Sequence, residues 1–78
     1  MTQREKLIAK MRARPVEADL EDVEKILELF GWVRQRQKGS HVSYGTPGVT
    51  EIFTLPVHHG KVKQVYIKKL CILLRLDE

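Results

Sequence analysis

A chain of 78 residues, 42% hydrophobic and 31% charged, is long enough for one small domain, which buries only roughly 60% of the surface its unfolded chain exposes. The apolar share argues against disorder, and no stretch approaches the ~20 apolar residues of a membrane-spanning helix. The formal charge of +4 is unevenly spread: residues 1–30 hold six Lys/Arg against seven Asp/Glu, whereas residues 31–69 hold seven against one, Glu51.

That asymmetry bears on partners. A positive field concentrated in the middle of the chain suits a polyanion such as nucleic acid, although a solvated surface that keeps a small protein soluble has the same composition. A single cysteine, Cys71, excludes an intrachain disulfide and a cysteine-built zinc site. Set within an apolar run, it reads as a small core residue. The opening "MTQREKLIAKM" has no continuous apolar segment of the kind a signal peptide needs, so a cytoplasmic location is expected.

In chain order, Thr2-Gln3-Arg4-Glu5 has capping-box spacing, and Leu7, Ile8 and Met11 form a short apolar stripe, predicting a helix over 3–13. Pro15 ends it. Asp19 is placed to cap a second helix, in which Leu20, Val23, Leu27 and Phe30 recur at three- and four-residue steps and Ile26 broadens the apolar face. Gly31 closes that helix. The period then changes to two: Trp32, Arg34, Arg36 and Lys38 are expected on one face of a strand, with Val33, Gln35 and Gln37 on the other.

Gly39-Ser40 reads as a tight turn, so residues 41–45 should return as an antiparallel strand with His41 and Ser43 on one face and Val42 and Tyr44 on the other. A third strand is expected over 50–57, with Phe53, Leu55 and Val57 on one face. "VKQVYIKKLCILLRL" favours a helix over about 64–75, with Val65, Leu70, Leu73 and Leu74 buried. The expected fold class is therefore α+β: a small two-layer sandwich of order α-α-β-β-β-α, its three-stranded antiparallel sheet covered by helices on one face. The last helix is apolar around much of its circumference, which suits either a deeper core or a partner surface.

Several chemistries lack their residues. No glycine-rich phosphate loop is present, and Glu51, alone in the basic region, cannot supply the acidic oxygens of a two-metal nuclease. His58 and His59, adjacent in sequence, would point to opposite faces of a strand and do not readily share an ion. What remains is a lone histidine, His41, beside fixed positive charge. RNA supplies its own nucleophile, the 2′-hydroxyl, so strand cleavage needs only a base, an acid and cations for the developing phosphorane charge. Histidine suits the first two tasks, and Lys and Arg suit the third. From the residues alone His41 is either such a group or a structural strand residue.

The segments "GWVRQRQKGSHVSYGTPG" and "TLPVHHGK" resemble the HicA toxins of bacterial HicAB toxin–antitoxin modules, small RNA-cleaving proteins (mRNA interferases) with a double-stranded-RNA-binding-domain-like fold. The resemblance runs from about Leu20 to Leu76 and rests on Gly31-Trp32, on the block Arg36-Gln37-Lys38-Gly39-Ser40-His41, and on Thr54-x-Pro56-x-His58-x-Gly60-Lys61. It implies one domain, 1–78, made of an N-terminal helical extension (1–17) and a HicA-like core (18–76). It also implies a type II toxin that cleaves mRNA without metal or other cofactor, with His41 as the catalytic residue held by the Gly39-Ser40 turn at the sheet edge near Lys38. A HicB-type antitoxin is the implied partner, binding a toxin that is a monomer or dimer when free.

Arg34, Arg36, Lys38, Ser40, His58 and Lys61 are then the expected RNA-binding residues, with His58 and Lys61 reaching the site from a loop after Pro56. Phosphate contacts of this kind give affinity without sequence choice. Tyr44 is expected in the core, and Trp32 is either core-capping or a stacking platform. The chain departs from the family where many relatives have a Gly-containing "GTLxxIL" pattern; here "VYIKKLCILLRL" stands instead. The competing account is a non-catalytic RNA-binding module that uses the same basic sheet.

Overall fold

In the computed structural model, which describes residues 2–77, helix α1 (Gln3–Arg12) begins at a complete capping box. The Glu5 amide donates to Thr2 Oγ1 at 3.2 Å, and the Thr2 amide donates to the Glu5 carboxylate at 3.3 Å. Two of the helix's orphan donors are thereby satisfied. Strand β1 (Glu17–Asp19) leads directly into α2 (Leu20–Leu29), which buries Val23, Ile26 and Leu27 as its periodicity requires. Asp19 occupies the N-cap position but makes no side-chain cap bond. Its carboxylate is instead drawn to Lys61.

Strands β2 (Val33–Lys38), β3 (His41–Gly45) and β4 (Phe53–Pro56) form an antiparallel sheet with β3 in the centre. Val42, Tyr44 and Leu55 point from it into the core, each with no exposed surface. The expected order of helices and sheet strands is the one found. Trp32 is also buried, so of its two readings the core one holds. β4 is shorter than the expected 50–57 because the chain joins the ladder only where Phe53 faces Tyr44.

Two strands are additions to the expected set. β1 pairs antiparallel with β5 (Lys61–Lys63), putting the buried Ala18 opposite the buried Val62. Each is three residues long, too short for a period of two to declare itself, and Glu, Ala and Asp are poor strand formers. Their partners lie some forty residues apart, so nothing local to either segment announces the pairing.

Helix α3 (Gln64–Leu73) follows β5 without a linker and buries Ile67, Leu70 and Cys71. Val65, expected in the core, is 52% exposed. β5 delivers the chain into the helix with Ile67 facing inward, and that phase turns Val65 outward. Helix α1 packs into the same core through Leu7 and Met11. Polar links reinforce it: Lys10 pairs with Asp22 at 2.5 Å, Arg14 with Asp77, Gln64 Nε2 donates to the Arg14 carbonyl at 2.6 Å, and Cys71 Sγ donates to the Met11 carbonyl at 3.2 Å. The N-terminal helix is thus built into the core rather than appended to it.

Candidate functional site

The site begins with a turn. Lys38 on β2 and His41 on β3 are directly opposed, joined by Gly39 and Ser40 alone. Gly39 has φ +59°, a left-handed conformation at the first central position of a two-residue hairpin, where glycine is favoured. The pairing on the other side continues past His41: His41 faces Pro56, and the Val57 amide donates to the Ser40 carbonyl at 2.7 Å. This corrects the expected edge location. His41 ends the central strand, with a strand on either side, and its backbone is held accordingly.

A β-bulge decides which basic residues join it. The β2–β3 register runs Arg34 opposite Tyr44 and then Arg36 opposite Ser43, so Gln35 is the extra residue. Residues opposed in an antiparallel ladder share a face. Arg34 therefore lies on the side of the buried Tyr44, while Arg36 and Lys38 share the open side with Ser43 and His41. The Gln35 side chain covers Gly45, where an added Cβ would come within 2.9 Å of Gln35 Nε2. The strict alternation expected of residues 32–38 fails here, and Arg34 leaves the group it was expected to join.

Arg34 has another partner. Its Nε and Nη2 donate to Glu24 Oε2 at 2.9 and 2.5 Å, and the Tyr44 hydroxyl donates to the same oxygen at 2.6 Å. Burial alone would raise the Glu24 pKa. The Tyr44 and Arg34 hydrogen bonds, with the Arg34 charge, outweigh it and hold the carboxyl below its ordinary value. Burial, followed by the bond to Glu24, pushes the Tyr44 phenol well above its usual range. The cluster ties α2 to β2 and β3.

On the open side, Ser43 and Thr54 are opposed and their hydroxyls lie 3.1 Å apart. Beyond the end of the sheet, a cleft of about 380 Å³ is lined by Ser40, His41, Pro56, His58, Lys63, Val65 and Tyr66. No carboxylate among the described residues lines it. Among the described residues, no group of three or more His, Cys, Asp or Glu side chains is placed to hold a metal ion. The Lys69 ammonium sits 5.2 Å from the centre of the Tyr66 ring, so α3 contributes a second cation beside the cleft.

The expectation that Lys61 reaches the site from a loop after Pro56 is corrected by this arrangement. Lys61 opens strand β5 instead of lying in a loop; it is paired with Asp19 and does not line the cleft. The Asp19 contact holds the Lys61 pKa above its ordinary value and the Asp19 pKa below its own. His58 does line the cleft, whereas His59 faces another depression with Asp19, Leu20, Glu21 and Gly60. Lys63 and Tyr66 were not anticipated. The alternation Lys61-Val62-Lys63 around a buried valine was the available signal for Lys63, but it is legible only once β5 is known to be a strand.

Fold and site together define a small α+β protein with an open, basic sheet face and two histidines lining one carboxylate-free cleft. A family model described as the HicA toxin of bacterial toxin–antitoxin matches residues 20–75, more than two thirds of the chain. The chain belongs to this family of toxins from toxin–antitoxin modules. Comparisons with curated proteins and with solved structures give no match. The matched span starts at α2, so α1 and β1 precede it although both pack into the same core.

Proposed function

We propose that the protein is a metal-independent endoribonuclease toxin that cleaves messenger RNA with His41, and that a HicB-type antitoxin neutralises it by covering the cleft. The observation that carries this reading is the setting of His41: backbone held between two strands, side chain exposed, Lys38 directly opposite, and Lys63 in the same carboxylate-free cleft. Neutral His41 accepts the proton of the RNA 2′-hydroxyl, which attacks the adjacent phosphorus. Lys38 and Lys63 offset the charge that grows on the phosphorane oxygens.

Arg36, exposed on the face of His41, and the Ser40 hydroxyl guide the RNA backbone, and Tyr66 offers a ring for a base. Arg34 and Lys61, each held by a carboxylate, serve the fold in this reading. A cleft without acidic side chains supports the metal-independent chemistry, since hard divalent cations require oxygen ligands.

The test is RNA cleavage in excess EDTA by the wild type and by His41→Ala, at matched folding by circular dichroism. Wild-type cleavage with a loss of about 10²–10⁴-fold in the variant is expected for removal of a catalytic base. Cleavage by His41→Ala at the wild-type rate overturns the assignment. Salt-sensitive RNA binding without product, from both proteins, turns the same surface into a binding module.

A further inference from the structure

We infer that His58 is a second catalytic residue, the general acid that protonates the leaving 5′-oxygen; the inference rests on the reading of His41 as base. The β3–β4 ladder opposes His41 to Pro56 and continues one step further through the bond from the Val57 amide to the Ser40 carbonyl. His58, two residues beyond Pro56, follows directly on that ladder, just past the end at which His41 sits. Both imidazoles line the one cleft. A cleft of about 380 Å³ has room for a phosphate beside both histidines, so that one can take a proton and the other give one as in-line displacement requires.

The backbone of His58 is fixed independently of any ligand. Its amide donates to the Lys61 carbonyl at 3.0 Å, and the Lys61 amide donates back at 2.9 Å. His59 and Gly60 between them both have positive φ, +53° and +74°, the pattern of a type I′ turn. A non-glycine residue held left-handed is a local cost, and its effect here is to anchor His58 at the base of a tight hairpin while His59 is turned to a different surface.

Chemistry then selects among the cleft's groups. A lysine ammonium, a serine hydroxyl and a tyrosine phenol are as classes all far weaker acids than an imidazolium. An imidazolium alone among them gives up a proton readily near neutrality. The step balances. His41 takes the 2′-hydroxyl proton, the 2′-oxygen forms a bond to phosphorus, the bond from phosphorus to the 5′-oxygen breaks, and His58 delivers its proton to that oxygen. The products are a 2′,3′-cyclic phosphate and a 5′-hydroxyl, and exchange with water restores both histidines.

The experiment uses the full chain and RNA oligonucleotides of mixed sequence, made with either oxygen or sulfur as the bridging 5′ atom at one linkage. A thiolate leaves without protonation. His58→Ala and His58→Gln should lose about 10²–10⁴-fold on the oxygen substrate and stay within about tenfold of wild type on the sulfur substrate, rates being compared at saturating RNA so that any loss of affinity is separated from the chemical step. His41→Ala should fail on both. Equal losses by the His58 variants on the two substrates, or full activity on the oxygen substrate, overturn the general-acid role while leaving the His41 reading intact. A wild type inactive on both substrates overturns the ribonuclease reading and this inference with it.

Discussion

On the helix-facing side of β3, Val42 and Tyr44 are fully buried and the Tyr44 hydroxyl is bonded to Glu24; on the open side, one residue away in each case, His41 is exposed and Ser43 half-buried. The same strand thus carries fold and candidate chemistry on alternate residues. The burial energy of a small domain is concentrated on one face, where each Å² of apolar surface removed from water contributes about 25 cal/mol. The other face is left free for polar and basic residues, because nothing packs on it that they would disrupt. Damage to one face should therefore leave the other's property largely intact, and the predictions below are ways to break that separation.

The largest effect is expected from the His41→Ala substitution, which should lower cleavage by orders of magnitude while changing the unfolding free energy read in urea by less than about 0.5 kcal/mol, as exposed substitutions do. A strongly destabilised His41→Ala would mean that the open face carries stability after all. Leu55→Ala, by contrast, should cost about 2–5 kcal/mol in urea unfolding, because it opens a cavity beneath β4. For a domain of this size that approaches the whole stability, so the folded fraction should fall while the folded molecules keep the cleft.

Tyr44→Phe sharpens the comparison within the buried face. It keeps the ring and removes one donor from the Glu24 carboxylate, so a loss of about 1–3 kcal/mol is expected, read as a shift in denaturant midpoint at unchanged slope. The smallest effect is one of pH. The folded-state pKa of Glu24 lies below its ordinary value of 4.5, so its contribution is fully present above that value and is lost as pH falls through the lower one. The stability difference between wild type and Glu24→Gln should accordingly be constant near neutrality and narrow below about pH 4.5. Asp19 and Asp77, whose pKa values are also lowered by ion pairs, are common to both proteins and cancel in that difference.

Much of this molecule is legible along the chain because the relevant physics is short-ranged. A threonine three residues before a glutamate, an apolar stripe at helical spacing and a Gly-Ser turn between alternating segments each act over one or two turns of backbone. They sufficed for the three helices, the three-stranded sheet and the burial of Tyr44, while Trp32 was left between core and stacking platform until the fold buried it. The QKGSH block and the Pro56–Lys61 motif were enough to point to the family.

Pairings between distant segments, and the exact phase of a strand, were decided only by the folded chain. One extra residue at Gln35 turned Arg34 toward Glu24 and kept Arg36 and Lys38 beside His41, a choice that composition and alternation do not encode. The pairing of β1 with β5 bound Lys61 to Asp19, brought Lys63 to the cleft, set the phase of α3 and turned Val65 outward. What the sequence determined by itself was the kinds of element and the residues capable of chemistry. Which of those residues meet is a property of tertiary contacts, because a ladder register or a bulge is stabilised by partners that lie tens of residues away.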